Sequence, residues 1–248
     1  MPADPESAAL PPAARAELAA ALAVLQANDG KLIRAARRVS ALASGPVLRG
    51  LATRTGAAAT LEGLAHAALA RAFDIAVLGL PEAGEDVGRF DSPAAAHLAT
   101  ALSGAVSGAA GLLGALPDAA LTTLLIMRQI AAVAVAAGED VRAEDTRRAC
   151  LEVFALEGAE GESGYLGARL LLRGAPVAAV LAQAARRWSI GLAEKLAAQA
   201  APLMGAAGGA LVNTAFLRHY RRRAHAHFTV RRLERVHGVA AVRATMAT

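Results

Sequence analysis

The sequence predicts an all-α protein, with a single compact multi-helix domain of about eight to ten helices over its 248 residues. Hydrophobic residues make up 55% of the chain but aromatic residues only 3%, so the core has to be built mainly from Ala, Leu, Val and Gly. This composition favours closely packed helices. Runs with a period of two, which predict strands, do not extend over a useful length. We expect a loose segment over residues 1–10 and one domain over residues 11–248.

The first helices are indicated by apolar periodicity and by their end signals. Pro12 is suited to the first turn of a helix that runs to about Asn28. Apolar spacing predicts a second helix over residues 31–53, interrupted near Gly45-Pro46, and a third from Ala57 to about Leu78. Ser92-Pro93 has the residues of a helix start, a capping side chain followed by a proline.

The stretch from Ala101 to Gly138 predicts the central element, a glycine-rich helical hairpin. Its two apolar arms meet at Leu116-Pro117-Asp118, where we expect the turn and where Asp118 would cap the second arm. The first arm carries glycines three and four residues apart, which would let a neighbouring helix approach closely: Gly104, Gly108, Gly111 and Gly114.

A membrane span is the alternative interpretation of this hairpin. No charged residue occurs between Asp91 and Asp118, and that length would permit a span. Glycine, alanine and proline dilute the hydrophobicity of the first arm, however, and Arg128 lies near the middle of the second arm. An arginine at a bilayer centre costs about 2.5–3.5 kcal/mol on insertion scales, so the composition favours helices buried inside a protein.

The second half of the chain predicts four more long helices. We expect them over residues 140–157, over residues 164–173 with Ser163 as the cap, over residues 175–200, and from Pro202 onward. The last of these becomes strongly basic after Asn213, and Gly238 is expected to end it before a short terminal helix.

The positive charge of the chain is concentrated at this basic end. Residues 218–248 contain eight arginines and a single acidic residue, Glu234. Seven of these arginines lie within 18 residues and are candidates for binding lipid or another anion: Arg218, Arg221, Arg222, Arg223, Arg231, Arg232 and Arg235. An anionic membrane surface fits this segment better than nucleic acid, because the sequence indicates no recognition fold. A solvated helix face is the alternative.

Two blocks of residues in this half resemble a known family. The first block comprises Leu116-Pro117-Asp118, Leu124 to Arg128, Gly138-Glu139-Asp140 and Ala149 to Phe154. The second comprises Pro202, Met204-Gly205-Ala206, Gly209, Asn213, Phe216 and His227 to Glu234. In order and spacing they resemble the EcsC family of bacterial proteins, over roughly Gly111 to Arg235. The namesake is encoded beside an ABC transporter, so the resemblance implies a role accessory to a transporter.

Few residues offer catalytic or metal chemistry. No two of the six histidines are three or four residues apart, as ligands on one helix face need to be, so we expect no metal. Gly161-Glu162-Ser163-Gly164 has the residues found around some catalytic serines, but no strand precedes it, which favours a helix cap. The single cysteine, Cys150, cannot form an intramolecular disulfide.

The remaining candidate is a polar pocket formed by Asp118, Arg128 and Asn213, which are polar residues embedded in apolar sequence. A structural ion pair or a helix cap is the alternative for the two charged residues. The acidic, proline-containing start is no secretory signal, so we expect the chain to be cytoplasmic. We expect a non-enzymatic protein without a cofactor, acting at the cytoplasmic membrane face with an anionic surface or a membrane protein as partner. The alternative is an enzyme of unknown reaction with a pocket near Arg128 and Asn213.

Overall fold

The computed structural model describes residues 10–26, 57–85, 112–157, 161–199 and 206–246. The described residues contain no strand, and the predicted all-α fold is confirmed. They form eight helices: α1 (Pro12–Gln26), α2 (Ala57–Ala76), α3 (Leu112–Ala136), α4 (Glu144–Ala155), α5 (Gly161–Leu172), α6 (Val177–Gln199), α7 (Ala206–His237) and α8 (Val239–Met246). The predicted helix over residues 31–53 and the predicted starts at Ser92-Pro93 and Pro202 lie outside the described residues.

Helix α3 lies at the centre of the packing, since it contacts α2, α4, α6 and α7. From Ile126 to Val135 every side chain is buried except that of Arg128, which is half-buried. Burying one large aliphatic side chain stabilises the folded state by about 1.5–3 kcal/mol. The apolar second arm predicted from the sequence is therefore a main source of core burial.

Four aromatic residues, Phe154, Trp188, Phe216 and Tyr220, form a cluster that joins four helices. Trp188 of α6 lies edge-on to Phe154 of α4 and to Tyr220 of α7, with ring centroids 5.3 Å apart in both pairs. Its indole N–H donates a 3.1 Å hydrogen bond to the hydroxyl of Thr123 in α3. Such pairs contribute about 0.5–1.5 kcal/mol each beyond their buried area. The cluster fixes α4, α6 and α7 around the central helix.

The hairpin turn predicted at Leu116-Pro117-Asp118 is wrong. Helix α3 begins at Leu112 and continues without a break through this tripeptide, so Asp118 lies inside the helix and does not cap it. Because Pro117 is only six residues into the helix, it removes a single intrahelical hydrogen bond close to an end where other N–H groups already lack partners. Most of the predicted glycine-rich arm, residues 101–111, lies outside the described residues.

The end of α3 is set by Gly138, which has φ +81°. The N–H of Gly138 bonds the carbonyl of Val135 at 2.9 Å, and the N–H of Glu139 bonds that of Ala134 at 2.9 Å. This pair of bonds is the Schellman ending, which favours glycine because other residues are strained at positive φ. The chain leaves α3 at a defined angle, and the carboxylate of Glu139 turns toward α7.

Two other helix starts differ from the prediction. Helix α5 begins at Gly161, so Ser163 lies within its first turn and is not the residue before it. Helix α4 begins at Glu144, since Asp140 accepts a 2.9 Å hydrogen bond from the N–H of Arg142 and forms a turn instead.

Within the described ranges, the segment Asp118–Ala136 of α3 has the length and hydropathy that could cross a membrane. Most of this segment is buried inside the protein, as is usual for the core helix of a soluble domain.

Candidate functional site: an arginine-lined cavity

The polar pocket predicted from Asp118, Arg128 and Asn213 is not assembled. The side-chain amide of Asn213 donates a 2.9 Å hydrogen bond to Asp118, and both residues are buried between α7 and α3. Arg128 instead donates to the carbonyl oxygens of Ala76 (2.7 Å) and Leu78 (3.0 Å) at the end of α2. It lies ten residues beyond Asp118 on the same helix, which places it about 15 Å further along. Both contacts connect helices.

The seven candidate arginines of the basic segment do not form one free surface. Arg223 is buried and donates to the carbonyl oxygens of Leu25 (3.3 Å) and Leu156 (3.0 Å), which fastens α7 to the ends of α1 and α4. Arg232 pairs with Glu17 of α1. Arg231 and Arg235 are both held by Glu139. Four of the seven are therefore committed to contacts within the fold.

The remaining three arginines have different surroundings. Arg218 and Arg222 are exposed and take part in no ion pair with another described residue. Arg221 is half-buried. The predicted plane of seven arginines is thus reduced to two that extend freely into solvent.

A second group of arginines, from four different helical segments, surrounds a cavity of about 400 Å³ between α4, α5, α7 and α8. The cavity is lined by five arginines: Arg148, Arg169, Arg173, Arg231 and Arg243. Three carboxylates share the lining: Asp145, Glu152 and Glu234. Leu170 is the only large apolar residue among the described lining residues.

Bidentate hydrogen bonds hold Arg169 and Arg231, the inner arginines of the cavity, in fixed positions. Arg169 donates to both oxygens of Glu234, at 2.9 and 2.8 Å. Arg231 donates to both oxygens of Glu139, at 2.9 and 3.1 Å, and to Asp145 at 2.7 Å. Bidentate pairs of this kind hold a guanidinium in one orientation. These two side chains form a rigid inner wall.

The paired arginines also lower the pKa of the carboxyl groups of Glu139 and Asp145. Burial alone would raise the pKa of Glu139, but the hydrogen bond and charge of Arg231 outweigh it and leave the pKa below its ordinary value. The pKa of Asp145 is lowered by the same balance. Both groups therefore remain ionised and act as fixed anions behind the cavity.

The outer arginines are not balanced in this way. Arg173, directly after α5, and Arg243 of α8 are exposed and form no ion pair with any described residue. Arg148 lies deeper, paired with Asp145 and 3.7 Å from Glu152. Five arginines and three carboxylates leave a surplus of two positive charges in the cavity lining.

Next to the cavity, a buried polar group of three residues includes one of its lining residues, Glu152. The hydroxyl of Tyr165 lies 3.0 Å from Nδ1 of His227, whose Nε2 lies 3.5 Å from Glu152. Burial, reinforced by neighbouring arginines, lowers the pKa of His227 well below its ordinary value. Burial raises the pKa of Glu152, against the effect of nearby arginines, and raises that of Tyr165 to about 12. His227 is therefore neutral at physiological pH.

No group of histidine, cysteine and carboxylate side chains within the described part of the chain has the arrangement of a metal site. His227 is buried while His225 is exposed, so the two point to different sides of α7, as their spacing predicts. Cys150 is buried, and burial raises the pKa of its thiol, which makes it an unreactive core residue.

Sequence reasoning found Arg231 but missed Arg148, Arg169, Arg173 and Arg243 as members of one site. Arg169 and Arg173 are four residues apart, which places them on one side of α5 and its immediate continuation. That spacing is a local signal, but it does not show which acidic residues face the two arginines. Only the folded chain brings Glu234 to Arg169, while no described acidic residue pairs with Arg173.

Comparison with known proteins identifies the family of the chain. Neither the curated proteins nor the solved structures contain a match to this sequence. A family model described as the EcsC protein family matches residues 69–233, which begins further toward the amino terminus than the resemblance at Gly111. The matched range includes α3 to α5 and the paired residues Glu139 and Arg231. The chain therefore belongs to the EcsC protein family.

Proposed function

We propose that this chain is a non-enzymatic helical protein that works at the cytoplasmic face of a membrane and docks on anionic lipid through the mouth of the arginine-lined cavity. One observation carries the proposal: at the end of α5, two exposed leucines adjoin Arg173, which lines the cavity and has no acidic partner among the described residues. Leu170 is 56% exposed and Leu171 is 84% exposed, at the end of α5. Arg173 follows them in the chain, and Arg243 lines the same cavity. Exposed apolar residues beside basic residues are typical of surfaces that bind at a bilayer interface.

The energetic argument favours this surface over the exposed side of α7. A basic residue near an anionic surface contributes about 1 kcal/mol, so Arg218 and Arg222 together supply about 2 kcal/mol. The cavity mouth offers the same two charges in Arg173 and Arg243. Beside it, the end of α5 carries the exposed Leu171, which can gain up to about 1.5–3 kcal/mol when fully buried.

A catalytic role has less support. The enzyme expected as an alternative requires a pocket near Arg128 and Asn213, and these residues are used in separate contacts between helices. The cavity itself has no hydroxyl, thiol or imidazole group among its described lining residues. Asp145 and Glu234 are occupied by arginines. A role beside a transporter, implied by the family resemblance, is compatible with membrane docking and stays part of the proposal.

Liposome sedimentation tests the proposal. We expect the wild-type protein to sediment with vesicles of anionic lipid, to stay in solution with neutral vesicles, and to be partly released by salt, because the screening length falls from about 10 Å at 0.1 M to about 3 Å at 1 M. Leu171→Gln and the double variant R173Q/R243Q should each weaken binding. Fractionation of the native protein with and without high salt provides the matching test in cells.

Matched control variants remove the same kind of charge or apolar side chain at other places on the surface. Leu78 is also exposed, so Leu78→Gln should leave binding unchanged. R218Q/R222Q removes two free arginines from α7 and should have a smaller effect than R173Q/R243Q. A larger effect of R218Q/R222Q would return the docking surface to α7, and equal binding to neutral and anionic vesicles would overturn the proposal.

A further inference from the structure

The arginine-lined cavity has features of a ligand site that docking on a membrane does not require. Its volume of about 400 Å³ lies in the range of small-molecule pockets. A flat basic surface would be enough to attract anionic lipid. The cavity is instead concave, and arginines of α4, α5, α7 and α8 line it from several sides, which suits a ligand that can be surrounded.

We propose that this cavity binds the phosphomonoester group of a small ligand. The proposal does not depend on membrane docking, since a phosphomonoester is carried both by some lipid headgroups and by soluble metabolites. The shared chemistry is a terminal phosphate that arginines can surround.

Charge is the first argument for a phosphomonoester. The lining has two more arginines than carboxylates, and two of its arginines, Arg173 and Arg243, have no acidic partner among the described residues. A phosphomonoester carries about −1.5 to −2 charges at pH 7, which matches this surplus. A single carboxylate or a phosphodiester carries one negative charge and would leave the cavity positive.

The geometry of the donors is the second argument. Arginine presents a planar fork of N–H donors that fits the oxygens of a phosphate. Arg169 and Arg231 are held by Glu234 and Glu139 and are already ordered before a ligand arrives. Arg173 and Arg243 have donors that no described acidic residue occupies, so they can close on an anion from the mouth.

The lining residues also limit which chemical group can be attached to the phosphate inside the cavity. No aromatic side chain is present among the described lining residues, so the cavity provides no platform for stacking a nucleic-acid base. Leu170, at the edge of the cavity, is its only large apolar residue. An acyl chain therefore does not enter, and the part of the ligand inside the cavity is a small polar headgroup.

Isothermal titration with inorganic phosphate and with glycerol 3-phosphate tests the site without any membrane. We expect binding by the wild-type protein and at least a tenfold weaker affinity in R173Q/R243Q, because a tenfold change corresponds to about 1.4 kcal/mol for the loss of two charged contacts. Neither arginine contacts another described acidic residue, so the variant is expected to fold, which its circular dichroism spectrum checks. R218Q/R222Q removes the same charge from α7 and should bind phosphate as the wild type does.

A second experiment distinguishes the two sources of phosphate. Vesicles with phosphatidic acid, a phosphomonoester lipid, are compared with vesicles of phosphatidylglycerol, a phosphodiester lipid, at matched surface charge. A preference for phosphatidic acid that R173Q/R243Q abolishes indicates a lipid headgroup. Binding of glycerol 3-phosphate without this preference indicates a soluble ligand.

The outcomes also separate the two proposals from each other. Phosphate binding without vesicle sedimentation supports the cavity site and overturns membrane docking. Vesicle sedimentation without binding of either soluble phosphate and without a preference for phosphatidic acid overturns the cavity site and leaves docking intact. Equal phosphate affinity in the wild type and in R173Q/R243Q also overturns the cavity site.

Discussion

The inner and outer arginines of the cavity are the same residue type within one small region, yet their environments are opposite. Arg169 and Arg231 each have side chains only 13% exposed and are gripped by carboxylates. Arg173 and Arg243 are exposed and lack acidic partners among the described residues. A count of arginines therefore does not locate a binding surface. The positions of the acidic residues decide which arginines belong to the fold and which are left for a ligand.

The difference between the paired inner arginines and the exposed outer arginines has an energetic basis. Removing one partner of a buried ion pair costs about 3–5 kcal/mol, because the other charge stays desolvated without compensation. An exposed charge that makes no contact contributes about zero to stability, and a site kept for a ligand is commonly less stable than it could be. The inner pairs should therefore govern folding, and the outer arginines should govern binding.

Removing the central carboxylate of the inner wall should have the largest effect. Glu139 is 7% exposed and accepts hydrogen bonds from Arg231 and Arg235. We expect Glu139→Gln to lower the free energy of unfolding by about 3 kcal/mol, because two arginines lose their main partner. Urea denaturation measures this loss.

A more exposed ion pair, which joins α1 to α7, provides the control for Glu139. Glu17 and Arg232 form a pair in which the side chains are 44% and 39% exposed, so Glu17→Gln should cost less than about 1 kcal/mol. If both variants lose the same stability, the distinction between inner and outer charges is incorrect.

A pH effect of intermediate size should come from His227, behind the inner arginines. Its pKa in the folded protein is lowered by burial and by Arg169, Arg231 and Arg223, whereas an unfolded histidine has a pKa of about 6.5. As the pH falls, His227 therefore binds a proton at a higher pH in the unfolded state than in the folded state. The contribution of His227 to stability is complete above about pH 6.5 and is lost as the pH falls below it. We expect a loss of about 1 kcal/mol between about pH 7.5 and pH 5.5.

The variant His227→Gln isolates this contribution. Glu152 faces the same ring and has a raised pKa, so its contribution has the opposite sign: it is complete below about pH 4.5 and is lost as the pH rises through the folded value. The variant keeps Glu152 but loses the titrating imidazole. Its stability should fall less than that of the wild type over the same pH series, and parallel curves would contradict the assignment to His227.

The sequence predicts those features of the fold that depend on neighbouring residues, and it does not predict those that depend on residues far apart in the chain. The helices from Ala57 and after Gly238 follow from local periodicity and end signals, and both are present near the predicted bounds. Gly138 ends α3 because only a glycine is unstrained at its φ of +81°, a requirement that is local as well. In contrast, Pro117 removes only a single hydrogen bond near the start of α3, so the tripeptide is compatible with a turn and with a continuous helix, and local signals do not decide between them.

The candidate site was beyond sequence reasoning for the same reason. Arg231 finds Glu139 across 92 residues of chain, and Arg169 finds Glu234 across 65. No periodicity connects positions so far apart. The surplus of arginine near the carboxyl terminus was visible in composition, but its neutralisation by acidic residues from α1 and from the end of α3 was not.

The smallest expected effect belongs to the outer arginines themselves. In a buffer without phosphate, Arg173→Gln and Arg243→Gln should each change the free energy of unfolding by less than about 0.5 kcal/mol, as is usual for surface substitutions that break no contact. The change should be slightly stabilising at low ionic strength, because each variant removes one charge from a lining with two surplus positive charges, and it should vanish in high salt. Urea denaturation at two salt concentrations measures both points. Arg218→Gln on α7 is the matched control from another part of the surface, since Arg218 is also exposed and has no acidic partner among the described residues. A loss of more than about 1 kcal/mol in either cavity variant would show that the outer arginines hold the fold together, and the contrast with Arg169 and Arg231 would no longer stand.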